Sequence, residues 1–550
     1  MRLGAADRAL APRPAGPALW TWLAVGIAAV LAVPIAAVIS SLAIPAGDVW
    51  LHLWRTQLLE LMGRTLLLVA GVGAGTLVVG GGLAWLVVHH RFPGRDVLEW
   101  ALILPLAVPA YVIGFVFIGL FEYAGPLQTG LRGWLGPGAR LPEIRSYGGV
   151  VVMMTLVFYP YVYLLARVAF REQGAASVET ARMLGQSRVR AFLRVTVPMA
   201  RPALAAGVAL AMMEALADFG TVATFGYRTL TEAIYRVWYG MFDRIAATQL
   251  ASVLLLFAAG LLLLERRSRG RARFTQSARR GPVVEPARLA GGRAAAATTA
   301  CVGVLALAFL LPVGQLAWWA ITAIRAGRVA PDFAALLWHT CALAGATAAV
   351  ASLLAVLLAY AGRLHGTATV RVAAQLASMG YALPGAVIAV GVLLPLAWAD
   401  HALVPVLERA LGRPLGLLLT GSAAGLILAY VVRFLAVGLQ TVDASLGKIP
   451  PSLDDAARVL GARAGSALRR VHLPLIQGGL LTAVVLVFVE TMKEMPATLL
   501  LRPYGLNTLA VEIWERTAES MWHEAAVPAL TLVAVGLLPV VLLIRLTSRR

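Results

Sequence analysis

An all-α membrane protein of two parallel six-helix repeats is the fold this chain predicts, and three observations predict it. The 550 residues are 60% hydrophobic and 13% charged, with a mean hydropathy of +0.81, more apolar surface than a water-soluble fold could bury. About twelve apolar runs reach roughly 17 to 25 residues, the length that crosses a bilayer core at 1.5 Å per residue. A polar segment flanked by such runs occurs twice, near residues 171–201 and 442–474.

Taken in order, the expected spans are 19–43, 62–88, 98–122, 147–169, 202–218, 246–264, 295–322, 336–362, 372–397, 417–439, 475–492 and 524–545. The first is too long for the core of a signal peptide and is kept as a span. Pro109 and Pro384 recur inside the third and ninth runs, where they read as kinks. The runs 202–218 and 475–492 are short and carry acids near their ends. Cys301 and Cys341 both fall in expected spans, without metal-ligand spacing, and read as small apolar residues.

A net charge of +20 raises the question of nucleic acid, but the arginines gather in particular loops rather than along one soluble face. Arg2, Arg8 and Arg13, Arg91 and Arg95, the stretch 171–201 and the linker "RRSRGRARFTQSARRGPVVEPARLAGGR" (266–293) all fall on one side of a twelve-span chain. The positive-inside rule makes that side cytoplasmic, with both termini inside, and no nucleic-acid partner is expected. The expected divisions are a first repeat at 1–270, a basic linker at 271–292 and a second repeat at 293–550.

The repeat is legible residue by residue. "VETARMLGQSRVRAFLRVTVP" (178–198) lies on "DDAARVLGARAGSALRRVHLP" (454–474) without a gap at an offset of 276. Eight of the 21 positions are identical, among them Ala181/Ala457, Gly185/Gly461 and Pro198/Pro474, against roughly two by chance. Outside the segment, "RTLLLVAG" (64–71) matches "HTCALAGA" (339–346) and "PAYVIG" (109–114) matches "PGAVIA" (384–389) at 275, while Glu214 and Asp218 fall on Glu490 and Glu494 at 276. Six spans separate the two copies, so the repeats run parallel rather than inverted.

Locally, the second copy predicts a short helix with Ser452 as N-cap, Asp455 completing a capping box, and a stop at Gly461 in the left-handed conformation. A second short helix then leads to Pro474, expected to open the next span at a first-turn position. The first copy repeats this with Glu179, Gly185 and Pro198, although Ala176 replaces the cap serine. Two short helices tied by a glycine turn and a proline to the next span make a pair of levers.

Glu179-Thr180-Ala181 and Asp455-Ala456-Ala457, each followed by its glycine, resemble the "EAA" loop of ABC-importer permeases. "LADFGTVATFGYRTLTEAIYRVWYGMF" (216–242) and "ETMKEMPATLLLRPYGLNTLAVEIWE" (490–515) look like ferric-iron importer permeases in particular. The resemblance covers nearly the whole chain, once per half. It implies a type I ABC importer permease fold, with Glu179, Ala181, Gly185, Pro198, Asp455, Ala457, Gly461 and Pro474 coupling to an ATPase. It also implies two copies of an ABC ATPase, a substrate-binding protein on the outer face, a bacterial inner membrane as setting, and alternating access as mechanism.

The chain's only lysines, Lys448 and Lys493, lie in no phosphate-cradling loop, so the chain is expected not to be an enzyme and to bind no cofactor itself. ATP and Mg would enter through the partner. Glu214, Asp218, Glu490 and Glu494, with Tyr159, Tyr161 or Tyr163, are candidate pathway residues, since charges within a membrane face a cavity or a partner and hard oxygens suit ferric iron. Interfacial placement, with Lys493 paired to Glu490 or Glu494, is the alternative; no firm metal site is assigned. Thiamine, phosphonate or another small solute remain alternative cargoes. An ion-coupled secondary transporter and a non-transporting scaffold or channel are the readings of other classes.

Overall fold

The computed structural model describes residues 17–45, 47–172, 183, 185–187, 190, 192–269 and 286–548. Among them are 12 helices long and apolar enough to cross a membrane: Leu19–Ala43, Leu58–His89, Ala110–Leu135, Tyr147–Arg171, Arg194–Ala217, Arg244–Leu264, Gly291–Arg325, Phe333–His365, Gly385–Leu411, Ala423–Leu446, Ala464–Met492 and Trp522–Pro539. They are numbered here as first to twelfth spans. The architecture is the expected all-α membrane fold of two six-span repeats.

Two runs read as single spans are broken. Residues 98–122 form a helix Arg95–Ala101, a 3₁₀ turn Leu104–Ala107 and a helix Ala110–Phe121. Residues 372–397 likewise form Ala368–Ala377, a 3₁₀ turn Met379–Ala382 and Gly385–Leu411. Pro109 and Pro384 are therefore not kinks inside a helix. Each is an N-cap, with ψ of 142° and 140°. The residue before a proline is pushed out of the helical region, and Val108 is extended at φ −99°, ψ 125°. Nearly every side chain of Tyr111–Ile118 is buried, as a helix that is apolar all round requires.

The chain packs as two units, residues 1–33, 345–381 and 430–488 in one, and 34–344, 382–429 and 489–550 in the other. Neither coincides with a sequence repeat: the larger takes in residues 382–429 and 489–550 of the second, and the first span of each repeat has contacts with the other. In the smaller unit the Trp20 ring meets Tyr360 of the eighth span edge-on at 5.1 Å. In the larger, Trp319 of the seventh span stacks on Phe115 of the third at 6.3 Å, and Thr298 donates to the Pro93 carbonyl at 3.0 Å.

Small residues set how closely the spans approach. In the larger unit a Cβ on Gly80 would lie 2.6 Å from the Tyr159 carbonyl, and one on Gly207 2.7 Å from Val162 Cα, so Val162 is held between two glycines. In the smaller unit the matching position is Gly438, whose added Cβ would meet Ala355 at 3.6 Å and Val487 at 3.5 Å. At the second crossing the glycine is the middle residue, between Ala355 and Val487.

A second correspondence is polar. Thr65 Oγ1 donates to Leu61 O at 2.6 Å and accepts from Leu230 N at 3.0 Å; Thr340 Oγ1 donates to Leu336 O at 2.7 Å and accepts from Leu509 N at 2.9 Å. Each threonine thus supplies an acceptor to a first-turn amide that no helix bond satisfies.

Candidate functional site

The second polar segment folds as a helix, Pro451–Val459, with Pro450 as N-cap. Pro451 takes the first helical position, where its missing N–H is not needed. Ser452 is therefore inside the first turn and no capping box forms, which corrects the expected start. The helix ends as expected at Gly461, φ +75°, with Ala462 N donating to Ala457 O at 2.9 Å. Ala457 is buried under the helix, while Asp455 and Arg458 pair at 2.7 Å on its exposed face.

Pro474 takes a first-turn position in Leu473–Met492 as expected, but helical structure already runs into it. A helix begins at Ala464, passes through a π-turn Leu468–His472 and continues as Leu473–Met492. A π-turn bonds i to i+5, which lets the chain continue where a proline offers no N–H. In the first repeat Gly185 is again left-handed at φ +81°, a π-turn Phe192–Thr196 follows, and Pro198 sits in the first turn of Val197–Ala217. Glu179 and Ala181 lie outside the described residues.

The inner face of the second segment holds a network that sequence reasoning missed. Arg363, at the end of the eighth span, donates to Asp454 Oδ2 from Nε at 3.0 Å and from Nη2 at 2.7 Å. It also reaches Leu446 O at 2.7 Å and Ile449 O at 2.9 Å. His472 Nε2 is 2.7 Å from Asp454 Oδ1 and its Nδ1 is 3.1 Å from Ala467 O. The Tyr360 ring lies tilted against the His472 ring, 5.2 Å between centroids, and its hydroxyl donates to Ala464 O at 2.8 Å. Burial pushes the Asp454 carboxyl up, but the hydrogen bonds and charge of Arg363, and then those of His472, outweigh it and hold the group below its ordinary range. The signal available in sequence was an arginine closing an apolar run, which alone points nowhere.

The candidate pathway residues separate into groups. Asp218 and Glu494 follow or close the fifth and eleventh spans in the same role: Asp218 accepts from Thr221 N at 2.7 Å and Thr221 Oγ1 at 3.0 Å, and Glu494 Oε1 accepts from Ala497 N at 3.0 Å. Each carboxylate caps the short helix that follows, Gly220–Thr224 or Pro496–Leu501. Glu490 pairs with Lys493 at 3.7 Å, and Lys493 also donates to Leu106 O at 3.3 Å. Glu214 is half-buried one turn before the fifth span ends.

The tyrosines lie elsewhere. Tyr159 is fully buried and donates to Leu102 O at 2.8 Å; Tyr163 donates to Glu99 O at 2.8 Å, while Tyr161 is half-buried. The Glu99 carboxylate is itself buried among Arg167 at 3.0 Å, Arg171 and Arg95 at 3.6 Å, with Arg167 stacked 4.4 Å from Trp100. Tyr159 is thus a strut between the fourth span and the broken third. Among the described residues no three His, Cys, Asp or Glu side chains come together as a metal site.

On the side opposite the arginine-rich loops, the matching stretches of the two repeats close on each other. Tyr235 donates to Pro496 O, Tyr239 donates to Leu499 O at 2.7 Å, and Phe219 packs on Trp514 at 4.9 Å. A Cβ on Gly220 would lie 2.6 Å from Met495 Cε and 2.7 Å from Tyr111 Cβ. Above this seam is a cavity of about 1110 Å³ lined by Glu232, Arg236, Asp332, Arg502, Asn507 and Glu515 among others. Arg502 is fixed there by Asn507 Oδ1 and Glu515 Oε1, each at 2.6 Å.

The family model of the binding-protein-dependent transport system inner membrane component matches the chain twice, over residues 76–267 and 351–550. A ferric-iron, Fe(3+), transport system permease protein, FbpB 2 of Haemophilus influenzae, is 26% identical over 89% of this chain and 90% of its own length. The sulfate transport system permease protein CysT of Escherichia coli is 32% identical over 43% of this chain and 84% of its own length. The molybdenum transport system permease protein ModB of the same organism is 28% identical over 33% of this chain and 78% of its own.

Proposed function

The chain belongs to the binding-protein-dependent transport system inner membrane components, a multi-pass permease of the ABC importer type, and from that premise we propose that it carries ferric iron inward. The observation behind the permease reading is the duplicated lever: a left-handed glycine, a π-turn and a proline at the same 276-residue offset. The support for iron is the match to the ferric-iron permease across both repeats, where the sulfate and molybdenum permeases match 43% and 33% of the chain.

In this reading 171–201 and 442–474 are cytoplasmic, both termini lie inside, and each lever docks on one of two ATPase subunits. The exposed Asp455 face of the second helix meets the ATPase. ATP, with Mg, is bound and hydrolysed there and not by this chain. A binding protein delivers cargo to the opposite face, above the closed seam. ATP-driven closure of the ATPases moves the two levers and parts the seam, and hydrolysis resets it. Glu214 and Glu490, at the matching depth in the two repeats, are the carboxylates a hard cation would pass.

The test is reconstitution in liposomes with the neighbouring ATPase and binding protein, comparing ferric iron, thiamine, sulfate and molybdate as ligands. Hydrolysis and uptake stimulated by iron alone support the proposal. Stimulation by another ligand discards iron and keeps the importer, whereas gradient-driven uptake without ATP would return the secondary transporter.

A further inference from the structure

We propose that Arg363, Asp454 and His472 are positioning residues that tie the second lever helix to the spans around it. The proposal rests on reading 442–474 as an ATPase-docking segment.

The tether is built from the ends of four elements. Arg363 closes the eighth span, and its guanidinium divides between Asp454 of the lever and the carbonyls of Leu446 and Ile449, where the tenth span ends. The Leu446 carbonyl is among the acceptors a helix C-terminus leaves without intrahelical donors, and Ile449 lies in the turn just beyond it. His472 stands in the π-turn that leads into the eleventh span and meets the other oxygen of Asp454. Both of its nitrogens lie within hydrogen-bond distance of an oxygen, Asp454 Oδ1 and Ala467 O.

Burial makes these bonds count. The side chains of Arg363, Asp454 and His472 are 16%, 19% and 0% exposed, so salt and water screen them little. A load applied at the exposed face of Pro451–Val459 passes through one carboxylate into the eighth and eleventh spans and the end of the tenth. Asp455, one residue on, is two-thirds exposed and carries none of this. It is left for the partner.

The first repeat carries no charged residue at the matching positions: Val88 for Arg363 at an offset of 275, and Val178 and Thr196 for Asp454 and His472 at 276. The three residues of the tether are therefore particular to the second repeat, while the glycine, π-turn and proline are common to both.

The experiment measures ferric iron transported per ATP hydrolysed by the full chain reconstituted with its ATPase and binding protein. Arg363→Gln, Asp454→Asn and the double variant are compared, together with His472→Thr, a residue the matching position of the first repeat already accommodates. With ATPase binding retained, transport per ATP should fall at least about fivefold, the low end of coupling between sites. The double variant should lose no more than either single one, because each breaks the same link. Singles that transport per ATP as the wild type does, or losses that multiply in the double variant, overturn the tether. ATPase capture by the wild type reads the docking separately: a wild-type chain that binds no ATPase overturns the docking and the tether together.

Discussion

Asp454 and Asp455 are neighbours with the same side chain and opposite surroundings. The lever helix turns one inward onto Arg363 and His472 and the other outward to Arg458. The sequence pattern singled out Asp455 and passed over Asp454, because a repeat alignment ranks positions by likeness and Asp454 falls on Val178 where Asp455 falls on Glu179. The difference has a pH signature. A carboxyl held below its ordinary value of 3.8 stabilises the fold above that value, and the contribution is lost as pH falls through the folded-state value. Thermal unfolding in detergent should therefore separate wild type from Asp454→Asn at neutral pH, and the two curves should converge below about pH 4. A constant gap from pH 7 down to pH 3 would show that charge is not what Asp454 contributes.

Between residues and molecule, the two turns at Gly185 and Gly461 make the sharpest case. An added Cβ meets nothing within 4 Å at either, so space is not the constraint; the backbone is, with φ of +81° and +75°. A non-glycine residue there costs roughly 1–2 kcal/mol, less for asparagine, which tolerates the left-handed region. Gly461→Ala should lower transport while Gly461→Asn recovers most of it, measured as uptake by equal amounts of assembled complex. Equal loss for both would mean that side-chain bulk against the ATPase matters and backbone conformation does not. These glycines were legible because a left-handed stop has few sequence solutions. The breaks before Pro109 and Pro384 were not, since the apolar runs continue through them and a 3₁₀ turn made of apolar residues leaves no polar trace. The π-turns leave no signature either: only their position ahead of Pro198 and Pro474 hints at them.

For the whole molecule, the 276-residue offset made the two repeats readable, yet gave no hint that the first span of each also reaches onto the other. That contact is decided by shape, such as Trp319 seated against Gly119 and Phe115, and shape has no period. The same holds for the seam between repeats, where Gly220 and Pro496 occupy matching positions. With an added Cβ only 2.7 Å from Tyr111 Cβ, which no rotamer change can move away, Gly220→Val should force the closed seam apart at about 1–3 kcal/mol of overpacking. Tyr235→Phe with Tyr239→Phe should act in the same direction by removing two bonds to the second repeat, each worth about 1 kcal/mol. A cysteine at Leu499, which lines the cavity, reports the outcome once Cys301 and Cys341 are replaced by alanine. Its rate of modification by a membrane-impermeant thiol reagent, without ATP, should rise severalfold in both seam variants. An unchanged rate in Gly220→Val, in protein that still folds, would mean that this contact does not hold the repeats together and that the barrier lies deeper, toward Glu214 and Glu490.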